Sequence, residues 1–393
     1  MIGVDQALDL VLALAPAPQE EAVALTDALD RVLLEPAAAR ITQPPFDAAA
    51  MDGYAVRAGD GAGPLRLVGE AAAGTGWTGT LDRGQAVRIF TGAPVPAGAD
   101  RVVMQEHVRR EGDAIRIEVP SDRDNIRLKG NDFSEGDTLP AGRRLTPYDI
   151  ALLAAMNVPQ VTVARAPRVA VLAGGDELVR PGETPGPGQI VSSNDLAIAA
   201  LVRQAGGIPH ILPLARDTED SLRASFAAAE GADVLVTIGG ASVGDHDLIA
   251  RVAADMGLER AFHRIAMRPG KPLMAGRLGG AAMLGLPGNP VSAMVCGVLF
   301  LQPLLRRMQG ADAVRLVLHR AALGCDLRPE GDRQHYLRAR LCQGEAGPII
   351  TPFGDQDSAR LRLLAEADAL LVRPANDPAR REGELAEYLL LRA

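Results

Sequence analysis

Three cations fall within eight residues of "HRIAMRPGKP": Arg264, Arg268 and Lys271. Of the 41 basic residues in the chain only Lys129 and Lys271 are lysines. Lysine is a compact, strongly hydrated point charge and arginine a flat fork, so the two are not interchangeable. A lysine set between Gly270 and Pro272 in an arginine-rich chain therefore suggests a small anion held close; the alternative is a solvated basic turn. A Walker A loop would carry Ser or Thr where Pro272 stands, which excludes a P-loop here.

Three further loops carry chemistry. In "AGGDELVRPGETPGPGQIVSSN" the adjacent acids Asp176 and Glu177 can hold a hydrated divalent cation, take part in proton transfer, or simply be solvated. "GGASVGDHD" combines three glycines, which permit close backbone approach, with Asp245 and Asp247, either of which can bind metal or cap the next helix. His246 reads as a surface residue, since no second histidine lies at ligand spacing. "GLPGNPVSAM" brings Asn289 and Ser292 to a helix start, where an oxyanion is stabilised. Taken together, glycine, acids and cations at four loops favour a phosphate ester with a divalent metal. One rival remains: Gly240 to Gly244 match G-x-S-x-G, which would make Ser242 the nucleophile of a serine hydrolase, although no HGGG-type oxyanion loop lies upstream.

These loops need a scaffold. Between 167 and 315 strand and helix alternate, from "RVAVLAG" to a long helix beginning at Val291, which predicts a doubly wound α/β domain with ligands at the carboxyl ends of its strands. Residues 40–136 read as an inserted β-rich domain of short apolar alternations, "PLRLVGEA", "QAVRIFTG", "RVVMQEHV" and "AIRIEVP". Helical spacing from Val4 to about Glu35, broken at "APAPQ", predicts two short helices. With "TPYDIALLAAMNV" they would form a helical linker and dimerisation domain from residues 1–39 and 137–166. Residues 316–393 turn strand-like again and predict a small C-terminal β-barrel.

Composition narrows the function classes. Acidic residues outnumber basic ones, 49 to 41, and no basic stripe exists, so nucleic acid is not an expected partner. Asp5 and Asp9 in the apolar start, with no positive leader, point to an amphipathic first helix and not a signal peptide. The greasiest stretch, 291–305, is short of the ~20 residues that span a bilayer, so no membrane is expected. Cys296, Cys325 and Cys342 form no CxxC and no metal-ligand spacing, which suggests a reduced, cytoplasmic protein.

In the order "FDAAAMDGYAVR", "RIFTGAPVPAGADRVVMQE", "NIRLKGNDF", "GGDEL", "GQIVSSN", "GGASVGDHD", "RPGKP" and "GLPGNPVSA", the chain from about residue 41 to 295 resembles the molybdopterin molybdenumtransferase family, the MoeA type related to the E domain of gephyrin. The resemblance implies an elongated homodimer whose clefts are shared between the α/β domain of one subunit and the β insert of the other. It implies the insertion of molybdenum from molybdate into adenylylated molybdopterin, with Mg²⁺, and release of AMP. A molybdopterin adenylyltransferase would supply the substrate. Matched residue by residue, Asp52, Thr91, Arg127 and Asp132 would reach across the dimer. Glu177, Asp217 and Asp247 would line the α/β side, Glu177 and Asp247 as metal ligands. Lys271 and Pro272, with Arg338 and Ser358, would form a molybdate pocket. Ser242, Arg264, Arg268, Asn289 and Ser292 complete the expected substrate-binding set. Arginine stands at 264 and 268 where the family often has lysine. A non-catalytic scaffold using this fold, as gephyrin partly does, is a third reading.

Overall fold

The computed structural model describes residues 1–61, 63–120, 122–239, 248–311 and 314–392. Ser242, Asp245, His246 and Asp247, and with them the G-x-S-x-G stretch, lie outside the described residues.

The α/β region is built on a six-stranded sheet in the order Ile208–Ile211, Arg168–Ala173, Val234–Ile238, Ala281–Leu286, Met274–Leu278, Glu259–His263. Only Met274–Leu278 runs against its neighbours, because it is the first arm of a hairpin with Ala281–Leu286. Side chains alternate across a strand, and both faces here are covered. Val169 and Val171 join a cluster with Ile198, Val202 and Leu301, whereas Ala170 and Leu172 join one with Leu222, Phe226 and Val252. Helices thus pack on either side, as a doubly wound sheet requires.

The helix running from Pro290 to Met308 has 19 residues and a mean hydropathy of 1.3. It is longer than the 15-residue stretch read from sequence and is the one described helix long and apolar enough to cross a membrane. Yet 78% of it is buried inside the protein, so its apolar surface is core.

The first predicted helix forms at Val4–Leu12, and its buried face of Val4, Ala7, Leu8 and Val11 packs into the α/β core. The second does not form. Glu20–Ala24 is instead a strand paired antiparallel with Gln160–Ala164, followed by a single 3₁₀ turn at Leu25–Asp27. Between "APAPQ" and that turn too few residues remain to sustain a helix, and pairing satisfies the backbone at once. The strand pair encloses a separate core that includes Leu33, Leu139, Leu145, Leu153 and Val163. Helix Pro147–Ala155 closes this core; it starts with proline after a reciprocal Thr146–Asp149 capping box.

The insert is a six-stranded sheet in the order Arg101–Met104, Gly53–Val56, Gln85–Ile89, Leu65–Ala71, Ala114–Ile117, Val108–Glu111. At the C-terminal end, Gln334–Gly344 pairs with both Gly347–Pro352 and Ala369–Arg373, and this double pairing closes a five-stranded barrel. Met267–Arg268 adds to the barrel by parallel pairing with Gln334 and His335. The barrel therefore grips the strand that leads into the Gly270–Lys271 turn.

Candidate active site

Three neighbouring strands end together at Ala173, Ile238 and Leu286; the first two continue directly into glycine and the third into Pro287 and Gly288. Gly174 donates its N–H to Ile238 (3.3 Å) and Gly239 donates to Leu286 (3.2 Å), so the ladder runs one step past the strands. A Cβ on Gly239 would lie 3.0 Å from the Gly174 carbonyl, and the residue sits at φ +92°. Bare backbone thus floors a cleft of about 1060 Å³ whose walls carry Glu177, Asp217, Lys271, Pro272 and Asn289. Glu177, Asp217 and Lys271 are exposed to the cleft. Among the described residues no hydrogen-bond or ion-pair partner is found for any of the three side chains. Asp176 points elsewhere, toward Arg216 at 3.7 Å.

A second cleft, about 890 Å³, lies against the first and is lined by Arg268, Lys271, Pro272, Ser292, Arg333 and Ser358, together with Asp355 and Asp357. Lys271 and Pro272 belong to both and form the wall between them. The turn that presents them is specified by Gly270. It sits at φ +111°, and a Cβ there would meet Cys296 Sγ at 2.6 Å and Met267 Cε at 3.0 Å. The Lys271 carbonyl accepts from Ile265 N–H (3.0 Å), and Arg264 donates its N–H to Leu273 (3.0 Å). Arg264 is exposed and lines neither cleft.

Asn289 does not cap its helix with its side chain. Its Nδ2 donates to Ser358 Oγ (3.1 Å), while Val291 N–H donates to the Ser358 carbonyl (3.1 Å). Barrel and helix start are tied together at the cleft edge by these two bonds. Arg338 is only 2% exposed. Its Nε donates to Gln356 Oε1 (3.2 Å) and its Nη1 to the carbonyls of Asp357 (2.9 Å) and Arg360 (3.3 Å). It shapes the loop that carries Ser358. Burial lowers its affinity for the proton, and the Asp355 and Asp357 carboxylates oppose that.

The insert residues form a separate group. Asp52 accepts from Thr91 N–H (2.7 Å) and Thr91 Oγ1–H (2.8 Å). Those two bonds, the backbone one first, hold its carboxyl below the usual range against slight desolvation, and the Arg88 charge adds to them. Arg127 sits on a short strand opposite Ala48, and Asp132 donates its N–H to Gln43 (3.1 Å). None of Asp52, Thr91, Arg127 and Asp132 lines either cleft within one chain.

Sequence reading missed Arg333, Asp355, Asp357 and the buried pair His335–Glu330 (Nδ1 to Oε2, 3.1 Å). Burial holds the His335 imidazole below its usual value; Glu330 pulls it up, and the neighbouring Arg268 and Arg333 push it down. Only Ser358, in "GDQDSARL", pointed to this loop, and nothing in spacing brings residue 333 to 268. Among the described residues no group of three His, Cys, Asp or Glu side chains could hold a metal ion. Glu177 and Asp217 are nonetheless oxygen donors of the kind Mg²⁺ takes one or two at a time beside water and substrate phosphates.

Family models match three consecutive regions: "MoeA N-terminal region (domain I and II)" over residues 2–157, "Probable molybdopterin binding domain" over 170–307 and "MoeA C-terminal region (domain IV)" over 320–391. The chain is similar to the molybdopterin molybdenumtransferase of Nostoc sp., 37% identical with 91% of this chain and 85% of that one covered. It is also similar to that of Haemophilus influenzae, 35% identical with 95% and 94% covered. Among solved structures, a molybdopterin biosynthesis MoeA protein from Pyrococcus horikoshii superposes with a TM-score of 0.84 at 33% identity, covering 100% of both chains.

Proposed function

The chain belongs to the MoeA family, and on that premise we propose that it is a molybdopterin molybdenumtransferase: it inserts molybdenum from molybdate into adenylylated molybdopterin and releases AMP, in molybdenum cofactor biosynthesis. The observation that carries the finer reading is the shared wall at Lys271 and Pro272 between two clefts of different chemistry. The larger has a backbone floor that admits a phosphoanhydride and carboxylates that suit a cation. The smaller has three cations and two hydroxyls around it, the donors that a doubly charged tetrahedral oxyanion needs. Two substrates seated there would meet across one lysine.

In this account Lys271, Arg268 and Arg333 orient molybdate, with Ser292 and Ser358 donating hydrogen bonds. Asn289 fixes Ser358, and Arg338 fixes the loop around it. Glu177, with Asp217 beside it and Asp247, would hold Mg²⁺, which when bound neutralises charge on the phosphates. Asp52 is ionised at neutral pH as an ordinary aspartate is, and the two bonds from Thr91 fix where its charge is presented, so it serves as a charge partner. Since the insert residues lie in neither cleft of their own chain, we place them in the cleft of a partner subunit of a homodimer. The exposed apolar residue Ile190 on the wall of the larger cleft suits such an approach. A cytoplasmic setting and supply by a molybdopterin adenylyltransferase belong to the same reading.

The test is release of AMP from adenylylated molybdopterin by the purified protein. Release is expected only when molybdate and Mg²⁺ are both supplied. No release under those conditions contradicts the proposal, and labelling of Ser242 by a fluorophosphonate with loss of turnover in Ser242→Ala would favour the hydrolase instead.

A further inference from the structure

Arg88 is a half-buried arginine of the insert with its guanidinium held on four sides. Its Cζ lies 5.0 Å from the Tyr54 ring centroid and 4.8 Å from that of Phe90. Nη1 donates to the Gly53 carbonyl (3.0 Å), and Nη2 donates to Gln105 Oε1. Gln105 in turn donates its backbone N–H to the carbonyl of Asp52 (3.1 Å) and its Nε2–H to Glu106 Oε1 (3.2 Å). The Gly53 carbonyl is thus satisfied by the Arg88 side chain, and the Asp52 carbonyl by the backbone of Gln105, whose side chain Arg88 also holds.

The strand ladder holds the backbone of this corner on both sides, and Thr91 holds the Asp52 carboxylate. Gly53 pairs with Ile89 on one side and Met104 on the other, and a Cβ on it would lie 1.9 Å from the Val103 carbonyl. No side chain at 53 can brace the turn, so the bracing comes across the sheet, from the residue opposite Tyr54. A flat guanidinium stacked between two rings, with two donors aimed at two fixed acceptors, is rigid in a way a lysine ammonium is not.

We propose that Arg88 is a positioning residue for Asp52: it ties the Asp52 to Gly53 corner to Gln105, so that the carboxylate is presented to the substrate in one place. The proposal rests on the reading of Asp52 as part of the reaction machinery. The charged and hydrogen-bonding groups that bear on Asp52 are Thr91, Arg88 and, through Gln105, Glu106. When the hub is removed the corner relaxes and the Thr91 bonds lengthen. The Asp52 carboxylate, held low first by those bonds and also by the Arg88 charge, then titrates higher.

The experiment compares wild type, Arg88→Lys, Arg88→Met, Gln105→Ala and Asp52→Asn as full-length proteins, by AMP release across pH and by NMR titration of the Asp52 carboxyl carbon. Arg88→Lys is expected to lower kcat by ~10- to 100-fold, the usual cost of a misplaced reacting group. KM for the adenylylated substrate should stay within ~3-fold, and the acidic limb should move to higher pH. Gln105→Ala, which leaves the ring stack in place, should move both in the same direction by less, and it serves as the readout if the arginine variants fail to fold. Wild-type kcat and an unmoved Asp52 titration in Arg88→Lys, with Asp52→Asn inactive, overturns the proposal. If Asp52→Asn is fully active, the reading of Asp52 falls, and the hub is then judged by titration in the variants that keep a positive charge at 88: a raised Asp52 value in Arg88→Lys or Gln105→Ala upholds it, and an unchanged value in both overturns it.

Discussion

The two halves of the proposed site are organised in opposite ways. Around the clefts of the α/β region the backbone is fixed, by Gly239 and Gly270 at positive φ and close contacts that disfavour any side chain, while Glu177, Asp217 and Lys271 project into the clefts with no protein partner found among the described residues. In the insert the functional side chain is itself fixed: Asp52 receives two bonds from Thr91, and its corner is braced by Arg88 and Gln105. The first arrangement leaves charges free for ligands that bring their own charge. The second pre-sets one carboxylate before any ligand arrives. A reaction between two anions needs both, since cations must be available to the substrates while the group that handles a proton or charge must not wander.

The largest break in this contrast should come from filling the corner at Gly53. Gly53→Ala places a Cβ 1.9 Å from the Val103 carbonyl, and we expect a loss of ~3 kcal/mol or more in the insert's stability, measured by denaturant unfolding. Gly270→Ala is expected to cost less, ~1–3 kcal/mol for the positive φ together with displacement of Cys296, and to abolish AMP release by moving Lys271. Lys271→Arg sharpens the contrast without touching the backbone. It should keep the fold and lower molybdate-dependent turnover ~100-fold, because a fork overfills a turn shaped for a point charge; normal turnover would show that the lysine is incidental.

A different kind of break separates the two halves physically. Asp52→Ala and Asp247→Ala, each inactive alone, should regain partial activity when mixed, since one hybrid cleft of a shared-cleft homodimer is intact. No recovery after confirmed subunit exchange would place both groups in one subunit. Smaller still is the effect of pH. The folded-state value of Asp52 is depressed, so the Thr91 bonds support the fold above the ordinary aspartate range and are lost as pH falls through the lowered value. Thr91→Val should therefore move the acidic limb of kcat upward, toward the ordinary value near ~3.9. Least of all should follow from Arg216→Ala, which removes an exposed 3.7 Å pair with Asp176 and should change stability by under ~0.5 kcal/mol.

Much of the α/β region was legible because its strands are short apolar runs bounded by glycine and each is followed by a helical period. The cleft loops were legible for the same reason, since glycine and charge at a strand end are local signals. What escaped was set by distance in sequence. Glu20–Ala24 has no strand signal of its own and becomes a strand only through pairing with residues 140 positions away. Thr91 and Asp52 were both singled out, yet the bonds between them were invisible, and Arg88, which braces the corner, reads in sequence as one more surface arginine on a strand. Arg333 reaches the second cleft only because Met267–Arg268 adds to the barrel beside Gln334 and His335. Arg338 illustrates the opposite error of scale: its position near the pocket was expected, but its described hydrogen bonds go to the loop that bears Ser358.

If Lys271 and Pro272 divide two substrate clefts, molybdate must bind on one side of them only. Anomalous diffraction at the molybdenum edge, from crystals of the full chain soaked in molybdate, tests it most directly. The account predicts one strong peak in the smaller cleft, within hydrogen-bonding reach of Lys271, Ser292 and Ser358, that disappears in Lys271→Ala. A peak in the larger cleft beside Glu177, or one in the smaller cleft that survives Lys271→Ala unchanged, would contradict it.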